Sequence, residues 1–229
     1  MSNYSIVYED EDILVVDKPA GMLVIPSPKG EANTLTDLLN RYLDARGVQV
    51  NPVRNTNAAS LPRKISNGAN AYPCHRLDRE TSGLIVYAKG KSAQRLMMEE
   101  FKRRAVNKSY IAFAHGRINK RFGIIDAPIE RKRSLTKYRV LEQRSDFCIV
   151  EVKPVTGRTN QIRIHFKFIG HPLVGDRKFA FARDYSLKFR RAALHSCGIK
   201  FNHPVMRETL EFTLPLPDDM KKFLAVNSK

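Results

Sequence analysis

The segment PCHRLDRETSGLIVYAK, residues 73–89, joins a charged loop to an apolar run. Its second half is rich in β-branched and aromatic residues, which predicts a buried strand over 84–88, entered through Ser82-Gly83. The charged cluster before it then lies at a strand end, where loops held by a rigid scaffold often carry function. Asp78 stands between Arg76 and Arg79, and neighbouring cations favour the ionised carboxylate even when it is partly buried. Residue types alone leave two readings open. One is a structural Asp–Arg pair that orders a turn, the better reading on these residues taken alone; the other is a functional carboxylate.

Upstream, 5–8 and 13–17 read as short strands around the acidic turn Glu9-Asp10-Glu11-Asp12, and 22–25 resumes the strand pattern after Lys18-Pro19-Ala20-Gly21. Thr34 can cap a helix running to about Arg46, with Leu35, Leu38, Leu39 and Tyr42 at helical spacing. Residues 47–70 lose periodicity and carry Arg54, Arg63 and Lys64 without an acid, which reads as a flexible basic loop. Downstream, a helix is predicted over 92–104, with Lys102, Arg103 and Arg104 at its end, where cations suit the helix dipole. Strands are predicted over 108–114, 138–141, 147–152, 194–201 and 208–214, a helix entered at Gly157 and ended by Gly170-His171-Pro172, and a short helix from Pro217. In the helix after Gly157, Ile162, Phe166 and Ile169 share one side, so Arg163 points away from the apolar seam.

The chain has 229 residues, 42% of them hydrophobic, enough for a substantial core in one domain. Forty Lys and Arg against 23 Asp and Glu give a formal charge of +17, which favours a polyanionic partner, nucleic acid first. Three widely spaced cysteines, Cys74, Cys148 and Cys197, fit neither a disulfide framework nor a zinc site and point to a reducing compartment. No apolar run approaches the length of a membrane span, and the amino terminus lacks the pattern of a signal peptide, so a cytoplasmic location is expected. There is no phosphate-binding glycine loop, no dinucleotide fingerprint and no H-E-x-x-H. A hydrolase with paired carboxylates would need a second acid beside Asp78; Glu80 is near in sequence but need not face the same way.

In order, the motifs resemble those of the RluA-type RNA pseudouridine synthases. The resemblance rests on Ile13 through Gly21, on His75-Arg76-Leu77-Asp78 with Thr81-Ser82-Gly83, and on Lys108 with Tyr110. It continues through Gly157-Arg158, Gln161-Ile162-Arg163 and His165, then Gly170-His171-Pro172 with Gly175-Asp176. It implies an α+β fold, with a mixed, largely antiparallel sheet flanked by helices and loops and a central cleft holding Asp78. One catalytic domain over 1–229 is expected, without a separate RNA-binding domain before it.

The implied activity is a cofactor-independent isomerisation of uridine in tRNA or rRNA, with no metal and with a monomeric enzyme. Asp78 corresponds to the catalytic aspartate. Arg76 is expected to fill the gap left by an extruded uridine, Tyr110 to pack against the extracted base, and Arg163 to pair with Asp78. The chain departs from the pattern at Asn160, where the family usually has His, which bears on the local contacts of that helix. A non-catalytic RNA-binding protein on the same fold is the rival reading, and a glycosidase-like hydrolase a second.

Overall fold

The computed structural model describes residues 4–28, 30–46, 70–180 and 187–227. The basic loop predicted over 47–70 lies outside them apart from Asn70. The described chain forms two compact units, of which the first comprises 1–79, 84–106 and 201–210 and the second 80–83, 107–200 and 211–229.

In the first unit, β1 (Ser5–Glu9) and β2 (Ile13–Lys18) form an antiparallel hairpin. β2 neighbours β4 (Ser82–Lys89), on which the short β3 (Ala71–Pro73) also pairs, antiparallel. Every residue of β4 is buried, as its unbroken apolar run demands. α1 (Leu35–Arg46) begins at Thr34 in a reciprocal cap: Thr34 N–H and Oγ1 donate to Asp37 Oδ2, and Asp37 N–H reaches Thr34 Oγ1 at 3.3 Å. α2 (Lys91–Lys102) buries Ala93 and Met97.

The strand-like run 22–25 is not a strand. The carbonyls of Leu23 and Val24 instead accept the Leu35 and Thr36 N–H groups, two donors that an α-helix leaves unpaired in its first turn. The Met22 carbonyl accepts the ammonium of Lys18, 2.9 Å away and fully buried. Local propensity gave way to the hydrogen-bonding needs of a helix start and a buried cation.

The first unit also holds Asp10, Asp12 and His203, whose ligand-type atoms lie within 4.8 Å of one another. His203 Nδ1 accepts the Val205 and Met206 N–H groups, which leaves the hydrogen on Nε2, 3.0 Å from Asp10 Oδ2. Burial pushes the Asp10 carboxyl upward, but the bonds from His203 and the Ile13 backbone outweigh it and hold the group at about 2. With its ring nitrogens committed in this way, the trio is a clasp between two turns.

In the second unit the strand order is the start of β4, then β9 (Leu194–Asn202), β5 (Asn107–His115), β8 (Phe147–Pro154), β7 (Leu135–Gln143) and β6 (Phe122–Asp126), with β10 (Thr209–Thr213) on β9. β4 and β9 run parallel, while β9–β5, β5–β8, β8–β7 and β7–β6 are antiparallel, so the fold is α+β with a mixed, largely antiparallel sheet. α3 (Gln161–Phe168) packs on one face through Phe166, whose ring meets Tyr138 at 5.8 Å. α4 (Asp218–Val226) covers the β5–β8 part of the other face, where Met220 and Phe223 join Phe113, Phe147 and Ile149 in a core cluster. No helix among the described residues is long and apolar enough to cross a membrane.

Candidate active site

The loop that carries Asp78 is fastened to β4 before the carboxylate is reached. Cys74 N–H donates to the Val86 carbonyl at 2.9 Å, and Val86 N–H donates back to His75 Nε2 at 3.1 Å. The His75 ring rests on Phe101 of α2, and Leu77 is buried. Between these anchors Arg76 is exposed and Asp78 is half-buried. An exposed arginine beside a half-buried carboxylate is placed to meet a ligand.

Immediately after Asp78, the Arg79 carbonyl accepts the Gly21 N–H at 2.7 Å and the Lys18 ammonium at 3.3 Å. This gives the Lys18-Pro19-Ala20-Gly21 segment a physical purpose: it clamps the residue next to the carboxylate. Lys18 also donates to the Pro19 carbonyl at 2.9 Å, so a buried ammonium with three acceptors fixes the bend.

In the second unit, Glu80 to Gly83 are held as firmly. Arg191, itself buried, donates through Nη1 to the Glu80 carbonyl at 3.0 Å and through Nη2 to Ser82 Oγ at 3.2 Å, while Nε and Nη2 grip the Asp219 carboxylate. The Glu80 carboxylate accepts Ala192 N–H at 3.2 Å. Ser82 Oγ also meets His195 Nδ1 at 2.9 Å. Burial, with the Arg191 guanidinium beside it, lowers the His195 imidazole to about 4, so it is a neutral partner. Gly83 lies opposite Ser196 at φ +106°, where a Cβ would stand 2.2 Å from the Ser196 carbonyl oxygen. Glycine is what lets β4 approach β9.

Tyr110 lies on β5 facing Val152 and Ser196, beside an irregularity at which the pairing with β9 skips Cys197. Bulges of this kind commonly re-aim a side chain beside a functional site. Two residues earlier, burial pushes the Lys108 ammonium below its ordinary pKa, and its Nζ lies 3.7 Å from where a Cβ on Gly157 would stand. The lysine of the K-x-Y pair thus meets the glycine of the Gly157-Arg158 motif.

Arg163 is buried on α3 and held by a bidentate pair, Nε to Asp176 Oδ2 at 2.6 Å and Nη2 to Asp176 Oδ1 at 2.7 Å. Nη1 donates to Asn160 Oδ1 at 2.9 Å, Nη2 lies 3.6 Å from Glu80 Oε2, and the guanidinium sits 5.1 Å from the centre of the Phe179 ring. Asn160 takes a left-handed conformation at the helix start, which asparagine tolerates, so its side chain and its backbone both serve this corner. The other motif residues are pegs. Gln161 bonds Thr156, the Arg158 amide, the Leu135 carbonyl and Thr136, and His165 spans Thr136 and the Ala127 carbonyl with its pKa lowered by burial.

Arg163, Glu80 and Asp176 are therefore brought together, with Arg191 sharing Glu80. Sequence reading missed Lys18, Glu80 and Arg191 as supports. In sequence Arg191 is only one more cation, and no pattern around it separates a buried arginine from a solvated one. Burial pushes the Cys74 thiol up to about 12 and the Cys148 thiol up to about 11, and it raises Cys197 as well, which disfavours the thiolate form that a nucleophile needs.

Residues 12–168 match the profile of the RNA pseudouridylate synthases, and the chain belongs to that family. It is accordingly an isomerase that acts on RNA. Among curated relatives, the RNA pseudouridine synthase YlyB of Bacillus subtilis is 36% identical over 96% of this chain and 71% of its own length. The ribosomal large subunit pseudouridine synthase D of Vibrio parahaemolyticus is 35% identical over 94% and 68%. Of solved structures, human RNA pseudouridylate synthase domain containing 1 is similar at a TM-score of 0.70 and 28% identity, over 94% of this chain and 84% of that one. Domain containing 4 shares the fold at a TM-score of 0.75 and 22% identity, over 96% and 91%.

Proposed function

We propose that Asp78 is the catalytic carboxylate with which this chain isomerises a uridine in tRNA or rRNA. Relatives named as ribosomal large subunit synthases favour rRNA. The observation that carries the assignment is the investment of structure around one half-buried carboxylate. Its loop is clipped to β4, and the next carbonyl is clamped by Lys18 and Gly21. Glu80, two residues on, is held by Arg191 and the Ala192 amide. Such preorganisation is what differential stabilisation of a transition state requires.

In the reaction the N1–C1′ bond of uridine breaks, the uracil turns while bound and C5 joins C1′; the proton lost from C5 is balanced by one gained at N1, so the product is an isomer of the substrate. Nothing is oxidised, so no redox partner is needed. A uridine inside folded RNA must first be extruded, at about a few kcal/mol. Exposed Arg76 is suited to occupy the gap, Tyr110 to pack against the freed base, and Arg163 to favour an ionised Asp78. We further propose that both units serve one catalytic domain, that the enzyme acts as a monomer, and that it works in the cytoplasm.

The test is pseudouridine mapping in ribosomal and transfer RNA from cells lacking this gene, after incubation with wild-type protein or Asp78→Asn. Wild type should create pseudouridine at a defined position, and Asp78→Asn should slow this by roughly a thousandfold or more. A variant that stays active would remove Asp78 from the chemistry, and release of free uracil would indicate a hydrolase instead.

A further inference from the structure

α4 covers the β5–β8 end of one sheet face in the second unit, and the same face continues uncovered by any described residue across β7 and β6. Residues paired across strands share a face, and neighbours along a strand alternate. Tyr110, Val152, Tyr138 and Gly123 form one cross-strand row. Phe122, Arg139 and Glu151 form the next row, on the opposite face, and Ile124, Lys137 and Lys153 another on that face. The surface is thus distinct from the one that bears Tyr110.

Its composition is unusual for a face left in water. Phe122 and Ile124 are 63% and 62% exposed, both on β6, which ends the strand order. Large apolar side chains on an edge strand invite association, so their presence calls for a partner. Lys137 and Lys153 stand directly opposite each other, an arrangement that like charges make unfavourable. Glu151 offsets part of this, 3.1 Å from Arg139 and 3.4 Å from Lys153, and Asp126 adds a carboxylate at the end of β6. The cations still exceed the acids, and the Arg121 guanidinium adds a further one 5.9 Å from the centre of the Phe122 ring. Between them lies a hollow of about 290 Å³, whose lining includes Phe122, Lys137, Arg139, Glu151 and Lys153.

We propose that this β6–β7–β8 face is a second RNA-binding surface. It takes a single-stranded segment of the substrate RNA, with a base stacked on Phe122 and phosphates on Lys137 and Lys153. Exposed aromatics among basic residues on a sheet face are an established physical solution for unpaired bases. A folded duplex would satisfy the cations but leave Phe122 and Ile124 in water, and an apolar protein surface would cover the apolar pair but leave the excess positive charge, which Glu151 only partly offsets, without a counterpart. A single strand satisfies both. The identity of the polyanion rests on the family assignment; the contact itself does not depend on catalysis.

The probe is a 12-nucleotide uridine-rich single-stranded RNA carrying 5-iodouridine, bound to the Asp78→Asn chain so that turnover plays no part. Photocrosslinking should place an adduct on the tryptic peptide that begins at Phe122, and Phe122→Ala should abolish it. The Kd should rise about tenfold or more in Lys137→Glu/Lys153→Glu, but less than threefold in the charge-matched Lys91→Glu/Arg95→Glu on α2. Phe122→Trp should retain binding, which separates loss of stacking from loss of folding. Adducts confined to other peptides, or equal losses in the two charge-reversed pairs, would overturn the proposal. Self-association that Phe122→Ala abolishes while RNA affinity is unmoved would also overturn it, making a second copy the occupant. Absence of pseudouridine formation by wild type would count against the proposed catalytic function while leaving this result untouched.

Discussion

Arg163 owes its position to Asp176, which is fully buried and gives both carboxylate oxygens to one guanidinium while also accepting the Lys178 and Phe179 amides. Removing the charge from one side of such a pair leaves the other ion in a poorly solvating interior. Asp176→Asn is therefore expected to lower the unfolding free energy by about 3 kcal/mol, read from urea titration. At a temperature well below its unfolding midpoint it should also lower kcat more than it raises KM for RNA, because the proposed work of Arg163 is done at the reacting uridine. A variant that is destabilised yet keeps its kcat would make Asp176 a purely structural partner. The family resemblance singled out Arg163, and helix periodicity turned it away from the apolar seam, but periodicity carries no information on what waits on the polar side. Asn160 shows the same limit. It stood out as a departure from the family pattern, and only the folded corner shows a left-handed residue whose side chain serves Arg163.

Elements were legible where burial enforces a period. β4, β5 and β8 stood out as apolar or alternating runs, and α1 announced itself with Thr34 and its leucines. β6 went unread because only Ile125 of its five residues is buried, so Phe122-Gly123-Ile124-Ile125-Asp126 shows no buried alternation to detect. The run 22–25 was misread for the opposite reason, being apolar enough for a strand but committed to the start of α1. Two glycines flanking the proposed catalytic loop allow the local argument to be tested. Gly83 at φ +106° has Ser196 O 2.2 Å from its missing Cβ, whereas Gly21 at φ +86° has nothing within 4 Å. Gly83→Ala must either push β4 from β9 or strain both, and should cost more than about 3 kcal/mol with loss of activity. Gly21→Ala keeps the N–H that bonds the Arg79 carbonyl and meets only the left-handed backbone penalty, about 1–2 kcal/mol. Thermal unfolding of the pair measures the difference, and equal costs would mean that the close approach at Gly83 relaxes freely.

At the scale of the whole molecule the governing quantity is charge. A formal +17 makes long-range attraction to RNA strong and largely independent of sequence, so it speeds encounter and raises affinity without choosing a uridine. On the proposed assignment of Asp78, choice comes from short-range contacts around that carboxylate and, on the inference above, from the Phe122 face. These two contributions respond differently to salt. Phosphate contacts release counterions and weaken steeply as salt rises, whereas stacking and the chemistry at a clamped carboxylate do not. Raising monovalent salt from 50 to 200 mM should therefore lower RNA affinity at least about tenfold, with kcat at saturating RNA nearly constant. Discrimination between the target uridine and its neighbours should hold or sharpen, because the indiscriminate share of binding is what salt removes. Pseudouridine mapping across a salt series, with kcat and KM measured on the same RNA, checks both expectations. An affinity flat in salt would mean that the excess cations face solvent rather than substrate. Discrimination lost in parallel with affinity would mean that the phosphate contacts themselves set the register on the RNA, so that uridine choice resides in where the backbone is gripped rather than in the pocket.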